Sequence, residues 1–190
     1  MSSTFTGPLR VFKRNNPSNN GTIAPDNTGA VVCTQQSYIT NPITTTTGTA
    51  TTLTTADVGS TTVTPFVVPA GCQIDKIQFF QTTVPAGLVG GVITVSISIT
   101  NPTTGAITTT AIATVTPTAA GGLILGSFVA SAAVAALINN VGPLDATLTF
   151  SAASVTTLTS GSLGGTFSVE YTARNTDGSI TAYGSGYTNN

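Results

Sequence analysis

The stretch Val92-Ile93-Thr94-Val95-Ser96-Ile97-Ser98-Ile99-Thr100 decides the fold. Ile93, Val95, Ile97 and Ile99 alternate with Val92, Thr94, Ser96, Ser98 and Thr100, and a period of two belongs to a β-strand with aliphatic side chains on one face and hydroxyls on the other. Asn101-Pro102-Thr103-Thr104-Gly105 reads as a turn, and residues 106–115 return as the second arm of an antiparallel hairpin. The same alternation recurs downstream. Leu144, Ala146, Leu148 and Phe150 alternate with Asp145, Thr147, Thr149 and Ser151, while Phe167, Val169, Tyr171 and Ala173 alternate with Ser168, Glu170, Thr172 and Arg174. Each is a strand with one buried face.

Further strands are expected at 61–67 and 73–83, the latter carrying Ile74, Ile77, Phe79 and Phe80 between two copies of Val-Pro-Ala-Gly, at 68–71 and 84–87. In each copy proline presets the second residue of a turn and glycine relaxes the fourth. Asn175-Thr176-Asp177-Gly178 turns the chain into a last strand near 179–183. Only 127–138 reads as a helix, because alanine is the best helix former, Ser127 offers a cap and Asn139 or Asn140 a stop. About eight short strands with turns at this spacing imply an all-β fold: an antiparallel β-sandwich or jelly roll with an extended N-terminal arm and at most one short helix.

The arm is set apart by composition. Residues 1–36 hold Asn15-Asn16-Pro17-Ser18-Asn19-Asn20-Gly21 and Pro25-Asp26-Asn27-Thr28-Gly29, which punctuate regular structure, and Arg10, Lys13 and Arg14 supply three of the five basic residues. Such a segment cannot bury enough apolar surface by itself to offset its backbone entropy, so a partner surface must order it. The expected division is an arm over 1–36 and a β-sandwich body over 37–190. From 77 to 173 there is no Lys or Arg.

Charged residues are 6% of the 190, against about 25% in an ordinary soluble domain, while threonine fills 40 positions and His and Trp are absent. Lack of histidine excludes a serine–histidine nucleophile pair, an imidazole base and the common His-containing zinc sites. Asp145 with Glu170 is the carboxylate pair to consider for glycoside hydrolysis, but no Trp platform accompanies them, and solvated surface acids are the simpler reading. The chain therefore reads as a non-enzyme. Asp26-Asn27-Thr28-Gly29 and Asn175-Thr176-Asp177-Gly178-Ser179 each resemble part of a calcium loop, yet both are ordinary turn formers with too few carboxylates. No metal and no cofactor is expected. Cys33 and Cys72 are expected as small buried thiols rather than a bridge.

Threonine suits contact between proteins. Its stiff χ1 means that packing a threonine face costs little rotamer entropy, whereas Lys or Glu would lose up to about 2 kcal/mol each. It also leaves strand edges unguarded by lysine, and nearly neutral copies can sit side by side without repulsion. The threonine clusters at 44–49 and 51–55 lack the regular repeat of an ice-binding solenoid. In the arm, three phosphate contacts would give a salt slope of only about −2.7, too weak for a dedicated nucleic-acid protein. Docking of Arg10, Lys13 and Arg14 on an acidic protein surface, with Phe5, Leu9, Val11 and Phe12 as apolar anchors, fits better. No nucleic acid and no membrane is expected as a partner: apolar runs stop well short of the roughly 20 residues that span a bilayer. The start has neither the basic nor the apolar region of a secretory signal, so the chain is expected to stay where it is made unless it leaves inside a particle, and Asn20-Gly21-Thr22 carries no weight as a glycosylation triplet.

Two stretches resemble a known family. Ser3-Thr4-Phe5-Thr6-Gly7-Pro8, followed by an arm, and Pro-Phe-Val-Val-Pro-Ala-Gly-Cys-Gln-Ile-Asp-Lys-Ile over 65–77 look like small structural proteins of tailed bacteriophages, above all capsid decoration or cement proteins. The likeness is specific over some 20 residues and general elsewhere. It implies a β-sandwich or jelly-roll body sitting as a homotrimer on the outer face of a capsid, a virion location, and an arm that clamps major capsid protein subunits. The alternatives from other classes are a receptor- or glycan-binding module of a phage fibre or adhesin, with Tyr183 and Tyr187 as its loop aromatics, and a small-virus shell protein with an RNA-binding arm.

Overall fold

A computed structural model describes residues 31–42, 50–53, 66–153 and 162–174. The strands are β1 (Val31–Pro42), β2 (Ala50–Leu53), β3 (Phe66–Val68), β4 (Gln73–Thr83), β5 (Val92–Thr100), β6 (Ile107–Val115), β7 (Gly122–Leu125), β8 (Ser127–Phe128), β9 (Ala146–Ala153) and β10 (Ser162–Ala173), with one α-helix, α1 (Ala132–Asn139), before β9. They form two sheets, β1-β10-β4-β7 and β2-β9-β5-β6-β8, with β3 also paired to β9. Every pairing is antiparallel.

The strand order is that of a jelly roll. β2 and β3 lie along the same side of β9, Leu53 opposite Phe150 and Phe66 opposite Leu148, so they are two pieces of one strand interrupted between 53 and 66. Counting them once, and β8 as an extension beside β6, the first, eighth, third and sixth strands make one sheet and the second, seventh, fourth and fifth the other. The expected antiparallel sandwich is the observed fold.

The core follows from the period-two pattern. Ile93, Val95 and Ile97 of β5, Ala146, Leu148, Phe150 and Ala152 of β9, and Phe167 and Val169 of β10 are buried between the sheets. Four phenylalanines bridge the two layers. Phe66 meets Phe150 edge-on at 5.8 Å, Phe150 meets Phe167 at 4.2 Å, and Phe167 stacks on Phe79 at 4.5 Å. Offset and edge-to-face ring pairs add about 0.5–1.5 kcal/mol each beyond the area they bury.

Several expectations change in detail. β1 begins at Val31, so residues 31–36, assigned to the arm from composition, pair with β10 over Ala173 to Ser168. Residues 1–30 and the strand expected near 179–183 lie outside the described residues, as do 61–65 of the strand expected at 61–67. The helix does not start at Ser127. Ser127 and Phe128 extend the sheet beside Thr114 and Ala113, and the cap is Ser131, extended at φ −146° and ψ 150°, whose Oγ accepts from the Val134 N–H at 3.1 Å. Pairing with β6 outweighed the alanine-rich propensity until the first residue free to cap. The two Val-Pro-Ala-Gly copies diverge: the Cys72 N–H reaches the Pro69 carbonyl with Gly71 at φ +75°, so proline stands first and glycine third in that turn, whereas the second copy leads into a single 3-10 turn, Ala86–Leu88.

One glycine is dictated by packing. Gly165 of β10 lies opposite a bulge at Thr82 of β4, at φ +156°, where an added Cβ would lie 2.5 Å from the Phe80 carbonyl oxygen and 2.7 Å from the Phe79 ring. Gly165→Ala is therefore expected to destabilise by about 3 kcal/mol through overpacking. Phe150→Ala, which removes the ring shared by both layers, should cost about 3–5 kcal/mol in chemical denaturation. A loss below 1 kcal/mol for Phe150→Ala would mean that the two sheets do not depend on that contact.

Candidate interaction surface

The outward positions of the six-stranded sheet line up across it. Thr52 of β2 stands opposite Ser151 of β9, Ser151 opposite Thr94 of β5, Thr94 opposite Thr114 of β6, and Thr114 opposite Ser127 of β8. One row of hydroxyls thus crosses the sheet from edge to edge. A second row runs Thr147, Ser98, Thr109, with the Ser98 and Thr109 hydroxyls hydrogen-bonded at 2.9 Å, and between them lies Thr149, Ser96, Ala111. The rows are two residues apart along each strand, about 6.7 Å, and neighbours within a row are about 4.8 Å apart. None of the strands in this sheet contains Asp, Glu, Lys or Arg.

The register explains why the rows form. β5 and β9 are offset so that inward aliphatic residues oppose one another, which forces the intervening hydroxyl residues into register as well. On β6 a bulge between the partners of Val95 and Ser96 lets Ile112 and Ala113 both face the core, and it returns Thr109 to the outer face. Chemically the face offers methyl groups, hydroxyl donors and hydroxyl acceptors, with no formal charge.

The charged residues gather elsewhere, at the α1 corner of the four-stranded sheet. Asp75, the extra residue at a bulge of β4 against β10, accepts from Gln73 Nε2 at 2.7 Å and from the Thr172 hydroxyl at 2.6 Å. Arg174 donates to Gln73 Oε1 and, at 3.0 Å, to the carbonyl of Asn139 in the last turn of α1, where a cation also favours the helix dipole. Asp145 accepts from the Ala70 N–H at 2.9 Å and so secures the turn before β4. Glu170 lies across from Lys76. Asp145 thus serves a turn beside β9 while Glu170 sits within β10, in the other sheet, so the strands do not set the two carboxylates side by side. Among the described residues no cluster of three or more His, Cys, Asp or Glu could hold a metal, and no helix is long and apolar enough to cross a membrane. Both partial calcium loops lie outside the described residues, as do Tyr183 and Tyr187.

Cys72 is buried and Cys33 half-buried, both as thiols. β10 runs between β1 and β4, and across it Cys33 lines up with Tyr171 and Ile74, two residues away from Cys72, so the two thiols are separated by two strand spacings, roughly 9.6 Å, and a shift along the strand, beyond the roughly 7 Å between Cα atoms that a bridge tolerates. Burial pushes the Cys72 thiol above its ordinary value, a hydrogen bond from the Arg174 backbone opposing and Cys33 and Asp145 adding to the rise. Burial likewise raises the Tyr171 hydroxyl, with Cys33 and Cys72 contributing.

Two features escaped the sequence reading. Gln81, buried on β4, grips Thr118 with both ends of its amide, Nε2 donating to the carbonyl and Oε1 accepting from the N–H at 3.2 Å, which pins the chain before β7. β7 itself, Gly-Leu-Ile-Leu, was visible only as a short apolar run. The residues singled out in the arm, Phe5, Leu9, Arg10, Val11, Phe12, Lys13 and Arg14, lie outside the described residues. Pro65–Ile77 carries the family resemblance, and within it Phe66, Val68, Cys72, Ile74 and Ile77 are buried. That motif is accounted for by core and turn positions.

The class of protein that these observations define is a jelly-roll β-sandwich with one uncharged, hydroxyl-lined outer sheet. Compared with known protein families, with curated proteins and with solved structures, the chain matches none.

Because the folded thiol and phenol hold their protons longer than the unfolded chain does, their contribution to stability is whole below pH 9.0 and falls as pH climbs past it. Denaturation midpoints are expected to decline as pH rises past 9.0, with a shallower decline in Cys72→Ala. A slope unaltered by that substitution would remove Cys72 as a cause. Asp145→Ala, which orphans the Ala70 N–H, should cost about 1 kcal/mol.

Proposed function

We propose that this chain is a structural virion protein that decorates and stabilises a bacteriophage capsid, its body acting as a homotrimer and its arm binding major capsid protein subunits. The observation that carries this reading is the uncharged outer face of the six-stranded sheet, with hydroxyl residues in register from Thr52 to Ser127. Stiff side chains without charge let identical bodies, or a body and a shell, approach closely with little entropy loss and no mutual repulsion. The contacts should depend little on salt. The arm, through Phe5, Leu9, Arg10, Val11, Phe12, Lys13 and Arg14, supplies apolar anchors and the only cluster of positive charge in the sequence. Several arms per trimer raise avidity without any new contact.

The reading is tested by co-sedimentation with capsids. The full chain is expected to pellet with them, and a chain lacking residues 2–14 to remain in the supernatant with an unchanged denaturation midpoint. Thr94→Lys with Thr149→Lys, which places charge in the middle of the hydroxyl rows, should cost only about 1 kcal/mol of stability and reduce occupancy at least tenfold. Full decoration by the truncated chain would overturn the docking role of the arm. Absence of capsid binding by the full chain, together with a specific hit on a glycan array, would replace the whole reading with the fibre or adhesin module.

A further inference from the structure

Among the described residues β7 has a strand neighbour on one side only, and this edge of the four-stranded sheet is built to pair with itself. β7 is bonded on one side to β4, with Gln78 opposite Leu125, Phe79 opposite Ile124, Phe80 opposite Leu123 and Gln81 opposite Gly122. The Gly126 N–H donates to the Ile77 carbonyl at 2.8 Å, which sets the alternation of the ladder: residues 122, 124 and 126 bond towards β4. The backbone N–H and C=O groups of Leu123 and Leu125 therefore point the other way, towards the open side. Soluble proteins guard such an edge with lysine, proline or a covering segment. Here the flanking residues are Gly121, Gly122 and Gly126, and no charged residue or proline lies in β7.

The same two leucines carry exposed apolar side chains, as does Val32 on β1 at the far edge of this sheet. Leu123 is 53% and Leu125 58% exposed, and Phe80, directly across from Leu123, is 40% exposed. All three lie on the outer face, since Ile77, Phe79 and Gln81 alternate with them towards the interior. A strand edge with free hydrogen-bonding groups and an apolar margin is half of a sheet contact.

We infer that β7 pairs antiparallel with β7 of a second copy across a two-fold axis at Ile124, joining two four-stranded sheets into one continuous sheet. The register makes the second copy the fitting occupant. With the axis at Ile124, Leu123 of one copy faces Leu125 of the other, and each such pair exchanges both of its backbone hydrogen bonds. The four leucines then meet on the outer face, with a Phe80 behind each strand. A different protein would have to bring its own uncharged strand with apolar residues at the same two positions, whereas an identical chain already has it. The contact is isologous, so each β7 edge is consumed by one partner chain and offers no edge to a third. Three half-exposed side chains per copy provide less than the roughly 800 Å² per partner of a permanent complex, so pairing is concentration-dependent and fills where copies are crowded.

This contact requires no capsid, and it can fail or hold independently of the decoration reading. Sedimentation of the full chain over a hundredfold range of concentration, together with residue-resolved amide exchange, tests it. The expected result is a doubling of the mass of the smallest unit, single chain or trimer, as concentration rises. Protection appears at the Leu123 and Leu125 amides in step with it, while Ile124 is protected throughout. Leu123→Lys with Leu125→Lys, at positions already exposed, should keep the fold and abolish both changes. A unit mass that never doubles, exchange at Leu123 and Leu125 that ignores concentration, or doubling that survives in the lysine variant would each overturn the inference. Concentration-dependent protection shared between β7 and the open edge of β1 would also overturn it, since that pattern belongs to head-to-tail pairing.

Discussion

Everything about this surface depends on a contact in the interior, the run of rings Phe66, Phe150, Phe167 and Phe79 that ties the two sheets together. With few charges in the sequence and a single short helix among the described residues, sheet-on-sheet packing is what holds the two layers of the described body at a fixed spacing. The middle pair crosses from one sheet to the other, and the outer pairs extend it within each layer. Gly165 exists to let that stack close, because any side chain there would displace Phe79. Once the inner faces are locked, period two leaves the alternate positions no freedom. The hydroxyl rows outside are the mirror of the aliphatic rows inside.

That coupling gives the molecule two unlike faces. The six-stranded sheet is free of formal charge in its strands, and its outward positions carry mostly threonine and serine at the spacing of the ladder, with Val92, Ile107 and Ala111 among them. The four-stranded sheet holds the charged corner of Asp75, Lys76, Glu170 and Arg174 over β4 and β10, and its β7 edge is apolar. The corner is spent on structure: Gln73, Asp75, Thr172 and Arg174 bind one another and the end of α1. The outer face of the six-stranded sheet and the β7 edge are uncharged, and they favour contact by shape and backbone pairing over electrostatic steering.

Much of this was legible in the residues. The alternation at Val92–Thr100, and in the strands that became β9 and β10, named both the strands and their buried faces, since side-chain direction in a strand follows from parity alone. Weaker signals misled or were silent. Ser127 looked like a helix cap because local propensity was read without its neighbour β6. β1, with Cys33, Gln35 and Ser37 facing inward in place of aliphatic residues, lacks the contrast that marks a half-buried strand, and part of it was assigned to the arm. β7 is too short for a period, and Gln81 gives no local sign that its amide will clamp Thr118.

By itself, then, the sequence determined the class of structure, the inner and outer faces of its long strands, the poverty of charge and the chemistries that missing histidine excludes, because all of these are local or compositional. Tertiary structure alone decided which strands are neighbours. From that came the jelly-roll order, the register that sets Thr52, Ser151, Thr94, Thr114 and Ser127 in one line, the distance that keeps Cys33 and Cys72 apart, and the open edge at Leu123 and Leu125. The physical reason is that a strand's hydrogen bonds are satisfied by residues far away in the chain, and nothing local says which of several compatible strands will provide them.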